Sequence, residues 1–100
     1  MNSTLTHIQV TPRDIDSGTR LSCRFCPVAL AINRTLPVND DGRRQLFPIV
    51  RRKYVDIADS YGSRVSLPLP LPVQEFISRY DFDDTVFPFQ FELDIPQIHP

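Results

Sequence analysis

Ten prolines and only three glycines stand in these 100 residues, and proline limits a fold more than any other residue. Its ring fixes φ and it has no N–H, so it can open a helix but not continue one. In a sheet it is confined to edges and strand starts. The prolines therefore mark element boundaries. Pro12, Pro27 and Pro72 each stand at the head of a helical pattern, and Pro37 ends one. The run Leu67-Pro68-Leu69-Pro70-Leu71-Pro72 excludes helix and central strand, and predicts a stiff extended connection.

The hydrophobic periods between these marks supply the elements. Thr4 to Val10 alternates, with Thr6, Ile8 and Val10 on one face and Leu5, His7 and Gln9 on the other, the pattern of a half-buried strand. Thr11-Pro12-Arg13-Asp14 is a helix start: Thr11 caps, Pro12 takes the first position, and Asp14 meets unpaired N–H groups. Gly18 closes that short helix. A second helix begins at Cys26-Pro27 and carries Val28, Ala31, Ile32 and Leu36 at helical spacing. Residues 37–48, with the turn signal Asn39-Asp40-Asp41-Gly42, read as a loop or irregular hairpin.

Arg52 to Ala58 predicts a strand with Val55 and Ile57 inward, turned by residues 59–63 into a partner strand from Arg64 to Leu67. The next helix opens at Pro72, with Val73, Phe76, Ile77 and Tyr80 as its apolar stripe. Phe87 to Leu93 alternates as a last strand, limited by Pro88 to an edge or a strand start. The order is β-α-α-β-β-α-β. It predicts one α+β domain over residues 1–100, with a mostly antiparallel sheet of about four strands and two or three short helices, in a split βαβ, ferredoxin-like layout.

Composition narrows the classes. Hydrophobic content of 41% with 23% charged residues suits a folded domain. No apolar run approaches the roughly 18 residues of a membrane span, and MNSTLTHIQV lacks the charged head and apolar stretch of a secretory signal. A cytoplasmic protein is expected. The net charge of −1 hides an asymmetry: residues 1–64 hold ten basic and six acidic side chains, residues 65–100 one basic and six acidic. The two parts can steer a charged partner, or can meet each other across the fold.

Three local features carry candidate chemistry. The first is Cys23-Arg24-Phe25-Cys26-Pro27, a C-x-x-C at a helix start. A thiol there, beside Arg20 and Arg24, suits redox chemistry, although a thioredoxin-type arrangement runs a strand directly into the motif and here Gly18 and a helical turn intervene. Zinc is the second reading. Cys23 and Cys26 supply two thiolates, and the remaining ligands would come from His7 and His99 or from a second subunit's cysteines. The plain reading makes Cys26 a buried apolar residue and fits Cys23 into a gap beside it; it is preferred, so no cofactor is expected.

The second feature is the basic set Arg43, Arg44, Arg51, Arg52 and Lys53, with Phe47 and Tyr54 nearby to stack on bases. It would suit nucleic acid, but a sequence pI near 6.0 does not, and a solvated loop and strand face is the plainer reading. The third is the acidic loop Asp81, Asp83 and Asp84, which lacks the glycine and distal glutamate of a calcium loop. Asp81 and Asp83 can instead meet the basic set. Around this loop, Tyr61, Phe82 and Phe87 lie in turns rather than on a core stripe. With Asp83, Asp84 and the Leu-Pro run they make a candidate partner-binding surface. The alternative is that the rings fold back over the core.

Phosphate-loop, dinucleotide, zinc-protease and nucleophile-elbow motifs are not found in the sequence, and no spacing nominates a Ser-His-Asp triad. The segments Cys23 to Ile32 and Leu71 to Ile77, continuing through Tyr80-Asp81 to Pro88-Phe89-Gln90-Phe91-Glu92-Leu93, resemble a group of short uncharacterised proteins of bacteria and their phages. These share a CxxCPVALA helix and a C-terminal PFxFxL strand. The resemblance covers most of the chain outside residues 37–53. It implies a compact intracellular protein, phage-encoded, of a kind that binds host macromolecules. The expected function is accordingly that of a small non-enzymatic interaction protein, a modulator that binds and inhibits a host protein and works as a homo-oligomer.

Overall fold

A computed structural model of the chain describes residues 3–36, 46–59 and 61–96. The element order is β1 (Ser3–Val10), α1 (Pro12–Ser17), α2 (Pro27–Thr35), β2 (Leu46–Val50), β3 (Tyr54–Asp59), β4 (Arg64–Pro68), α3 (Leu71–Asp81) and β5 (Phe89–Pro96). The class is α+β, with antiparallel pairing throughout, as the hydrophobic periods predict.

Two features differ from expectation. Among the described residues there are five strands rather than about four, and they form two sheets rather than one. β1 pairs along its length with β5, from Ser3 opposite Pro96 to Val10 opposite Phe89. β2, β3 and β4 form a meander in that order. Pairing of the first and last strands is what a ferredoxin-like layout requires, but its continuous sheet is not formed: β1 and β5 pair only with each other among the described residues.

The extra strand is β2, whose first three residues fall where a loop or irregular hairpin is predicted. Leu46, Pro48 and Val50 are buried and Phe47 and Ile49 half-buried, so the alternation is present, but Pro48 masks it. An edge strand bonds to a neighbour on one side alone and so accepts a proline. Residues 37–45 lie outside the described residues. The other boundaries move by one or two residues, except that β5 runs three residues past Leu93 to Pro96. β3 starts at Tyr54 rather than Arg52, because the Arg51 N–H donates to the Tyr54 carbonyl at 2.8 Å and closes a turn. α3 starts one residue early at Leu71, and β5 starts after Pro88 rather than at Phe87. Pro68 joins β4, so the stiff connection shrinks to Leu69, which is buried, and Pro70.

One core unites the two sheets. Helix α2 packs against both β1 and β2, burying Val28, Ala29, Ala31 and Ile32 among Ile8, Val10, Val55, Ile57, Leu93 and Ile95. Complete burial of a valine or isoleucine side chain contributes about 1.5–3 kcal/mol. Helix α3 adds Val73, Phe76 and Ile77, and the Phe76 ring lies 4.8 Å from that of Phe89 on β5.

Capping follows the sequence. Thr11 and Asp14 form a reciprocal capping box on α1, and the Cys26 Sγ accepts the Ala29 N–H at 3.4 Å to cap α2. Gly18 is needed for space: a Cβ there would sit 2.7 Å from Pro27 Cδ and 2.9 Å from the Asp14 carbonyl. Among the described residues no helix is long and apolar enough to cross a membrane.

Candidate functional site

Residues 18–26, between α1 and α2, form a loop pinned at several points. The Thr19 N–H donates to the Phe25 carbonyl at 2.8 Å, and the Val50 N–H at the end of β2 donates to the Cys23 carbonyl at 2.8 Å. The Tyr80 hydroxyl, on α3, donates to the Gly18 carbonyl at 2.8 Å, and the Leu21 N–H donates to Asp81 Oδ1 at 2.9 Å. Leu21 takes the left-handed φ of 61°, an uncommon conformation for a leucine, and its side chain stands 78% exposed. Arg24 lies over the Phe47 ring at 5.0 Å.

These ties bring the loop, the β2–β3 turn and the C-terminal half of α3 around two adjoining hollows of about 290 and 180 Å3. Arg52, Ile77 and Asp81 are common to both. Leu21, Cys23, Cys26 and Arg51 line the larger; Lys53, Ser78 and Phe82 line the smaller. Parts of all three sequence candidates thus meet on one face: the C-x-x-C, the Arg51–Lys53 half of the basic set, and the head of the acidic loop.

The two cysteines occupy different environments. Cys26 is buried, 4% exposed, whereas Cys23 is exposed. The expectation that Cys23 fills an interior gap is corrected. Its carbonyl is taken by β2, and the turn over residues 23–25 leaves the side chain outside the core. Burial pushes the Cys26 thiol above the ordinary range. The Ala29 and Val28 amides oppose the rise, while the charges of Asp81 and Cys23 add to it. His7 is not near this pair; it lies on the outer face of β1, with Nε2 2.9 Å from Gln90 Oε1. His99 lies outside the described residues. Among the described residues no three His, Cys, Asp or Glu side chains gather as a metal set.

The basic set is divided. Arg43 and Arg44 lie outside the described residues. Arg51 Nε donates to Asp56 Oδ2 at 3.3 Å, and Phe47 is covered by Arg24, so neither is wholly available to a ligand. Arg52 and Lys53 are exposed on the turn, and among the described residues neither has an ion-pair partner. Asp83, at φ 63°, pairs with Arg20 at 3.4 Å, both side chains being exposed. The acidic loop therefore meets the 18–26 loop through Asp81 and Asp83. This is one point where the basic and acidic parts of the chain join.

The aromatic candidates do not converge. Phe82 is 76% exposed on the smaller hollow. Tyr61, 83% exposed, is in the β3–β4 turn, at the other end of β3 from Arg52 and Lys53. Six strand residues separate the two ends by about 17–20 Å. Phe87 is exposed in the connection before β5, and it and the exposed Asp84 line neither hollow. Sequence reading missed Leu21 and Ile77 as groove residues. Leu21 stands in no periodic pattern, and Ile77 is read first as core.

A second polar cluster sits on the outer face of β3. Asp56 is buried and accepts from the Ser66 hydroxyl, from Arg51 and from Arg64. The Ser66 bond holds its carboxyl below the usual range, against the opposing effect of burial and with help from the two guanidinium groups. Every oxygen is partnered, so the cluster is structural.

Comparison of the chain with protein-family models, with curated proteins and with solved structures returned no match.

Proposed function

We propose that the protein works by binding another protein, taking an acidic segment with an apolar anchor across the two hollows. One observation carries this reading. Leu21 and Phe82, 78% and 76% exposed, stand on the same hollows as Arg52 and Lys53. Large exposed apolar side chains beside cations with no ion-pair partner among the described residues form a contact surface with both an anchor and a charge preference. The resemblance to short phage and bacterial proteins adds that the partner is a host protein, inhibited by the contact.

Selection from a random peptide library tests the reading. Enriched peptides should place Asp or Glu beside Phe, Leu or Met, and should lose binding to Arg52→Glu and Phe82→Ala. Enrichment of peptides without acidic residues, or binding indifferent to both substitutions, would remove the groove from the interface. Retardation of single-stranded nucleic acid that falls with salt and is lost in Arg52→Glu would transfer the same cations to a nucleic-acid role.

A further inference from the structure

We propose that Cys23 and Cys26 form a thiol–disulfide exchange pair, in which Cys23 attacks a small carboxylate-bearing disulfide of the glutathione class and Cys26 resolves the product. Both side chains line the 290 Å3 hollow, whose rim carries Arg51 and Arg52. Cys23 is exposed and Cys26 is 4% exposed behind it, so an incoming disulfide meets Cys23 first. Cys23 opens the turn over residues 23–25 that leads directly into Cys26, the N-cap of α2.

The chemistry divides in the same way as the exposure. Cys23 loses its proton to solvent, and its thiolate attacks one sulfur of the disulfide RSSR. A Cys23–SR bond forms, the S–S bond of RSSR breaks, and RS⁻ leaves and takes up a proton. Cys26 then gives up its proton and attacks the Cys23 sulfur, forming the Cys23–Cys26 bond and expelling the second RS⁻, which is protonated in turn. Two thiols are oxidised and one RSSR is reduced to two RSH. Arg52 lines the same hollow and meets the carboxylates of the incoming disulfide. Burial shields Cys26 from RSSR in solution and raises its thiol, so its reaction is with the sulfur carried by Cys23. The pair does not depend on the partner-binding reading.

The test uses the reduced full chain, oxidised glutathione as probe, acid quenching and intact mass with peptide mapping. The wild type should lose two hydrogens, mapped to a Cys23–Cys26 disulfide. Cys26→Ser, whose hydroxyl is itself a good helix cap, should instead stop with one glutathionyl group on Cys23. Cys23→Ser should remain unmodified over the same period. Arg52→Glu should slow the reaction roughly tenfold with oxidised glutathione, and leave it unchanged with uncharged hydroxyethyl disulfide. A wild type that keeps a stable glutathionyl group or does not react, or a Cys23→Ser variant modified at Cys26 as fast as the wild type is at Cys23, would overturn the pair. An Arg52→Glu effect that is equal for both disulfides, or none for either, would overturn the groove's part in it.

Discussion

Arg34, in the last turn of α2, grips both oxygens of Asp14, in the first turn of α1. Its Nη1 lies 2.8 Å from Oδ1 and its Nη2 2.8 Å from Oδ2, while Nη2 also donates to the Gln9 carbonyl at 2.9 Å. Three elements are joined by one guanidinium. Asp14 is buried and its Oδ2 also accepts the Thr11 N–H. Arg34→Ala leaves that carboxylate without its countercharge, and should destabilise the fold by about 2 kcal/mol in urea titration. Arg34→Lys, which cannot fork across both oxygens, should recover only part of the loss.

Stability should decline in acid through two carboxylates. Burial raises the Asp14 carboxyl, but the bonds from Arg34 and Thr11 outweigh it, and it ends below the usual range. Asp56 is held down by Ser66 first, against burial. A carboxyl depressed in the folded state contributes full stability above its unfolded value, near 3.9. That contribution is lost as pH falls through the folded value. Urea midpoints should therefore hold near neutrality and drop below about pH 4. In Asp14→Asn the drop should be smaller, starting from a lower plateau. An unchanged acid slope would show that other groups carry the linkage.

The two described glycines should respond to alanine for different reasons. Gly18 has an ordinary φ of −71°, but no room for a Cβ beside Pro27, so Gly18→Ala should cost about 1–3 kcal/mol through displacement of the α2 start. Gly62 stands at φ +94° with open space around it. There alanine should cost about 1 kcal/mol through backbone strain alone. Thermal melts of both variants, with a crystal structure of Gly18→Ala, separate the mechanisms: only the first should shift Pro27.

Phe82→Ala and Leu21→Ala remove exposed groups, and each should change stability by less than about 0.5 kcal/mol. Ile32→Ala, at a position with no exposure, should cost about 3 kcal/mol. Denaturation curves on the three variants check the division between groove rim and core.

Much of this arrangement was legible in the chain. Thr11-Pro12-Arg13-Asp14 announces its capping box, and the Val73, Phe76, Ile77 stripe is buried as its spacing requires. β2 was hidden because Pro48 in a five-residue apolar run argues against a strand unless the strand is known to be an edge. The Asp56 cluster was within reach once β3 and β4 were paired. Ser66 stands opposite Asp56 and Arg64 opposite Ala58, so a period of two puts Asp56, Arg64 and Ser66 on one face. The groove was not legible, because the bond from the Leu21 N–H to Asp81 joins residues whose meeting depends on how α3 docks. Exposure of Cys23 depends on the same docking and on the tie to Val50.

The ladder of β1 with β5 sets the order in which this chain can mature on the ribosome. β2, β3 and β4 pair with near neighbours and can zip as soon as they emerge. β1 is made first, yet its hydrogen-bonding partner runs from Phe89 to Pro96. Until β5 emerges, β1 waits with that edge open. Such distant pairing slows folding and leaves an unpaired strand exposed to other chains. Nascent chains stalled before Phe89 should therefore be sensitive to protease and prone to cling to one another, and emergence of β5 is the event that completes the ladder.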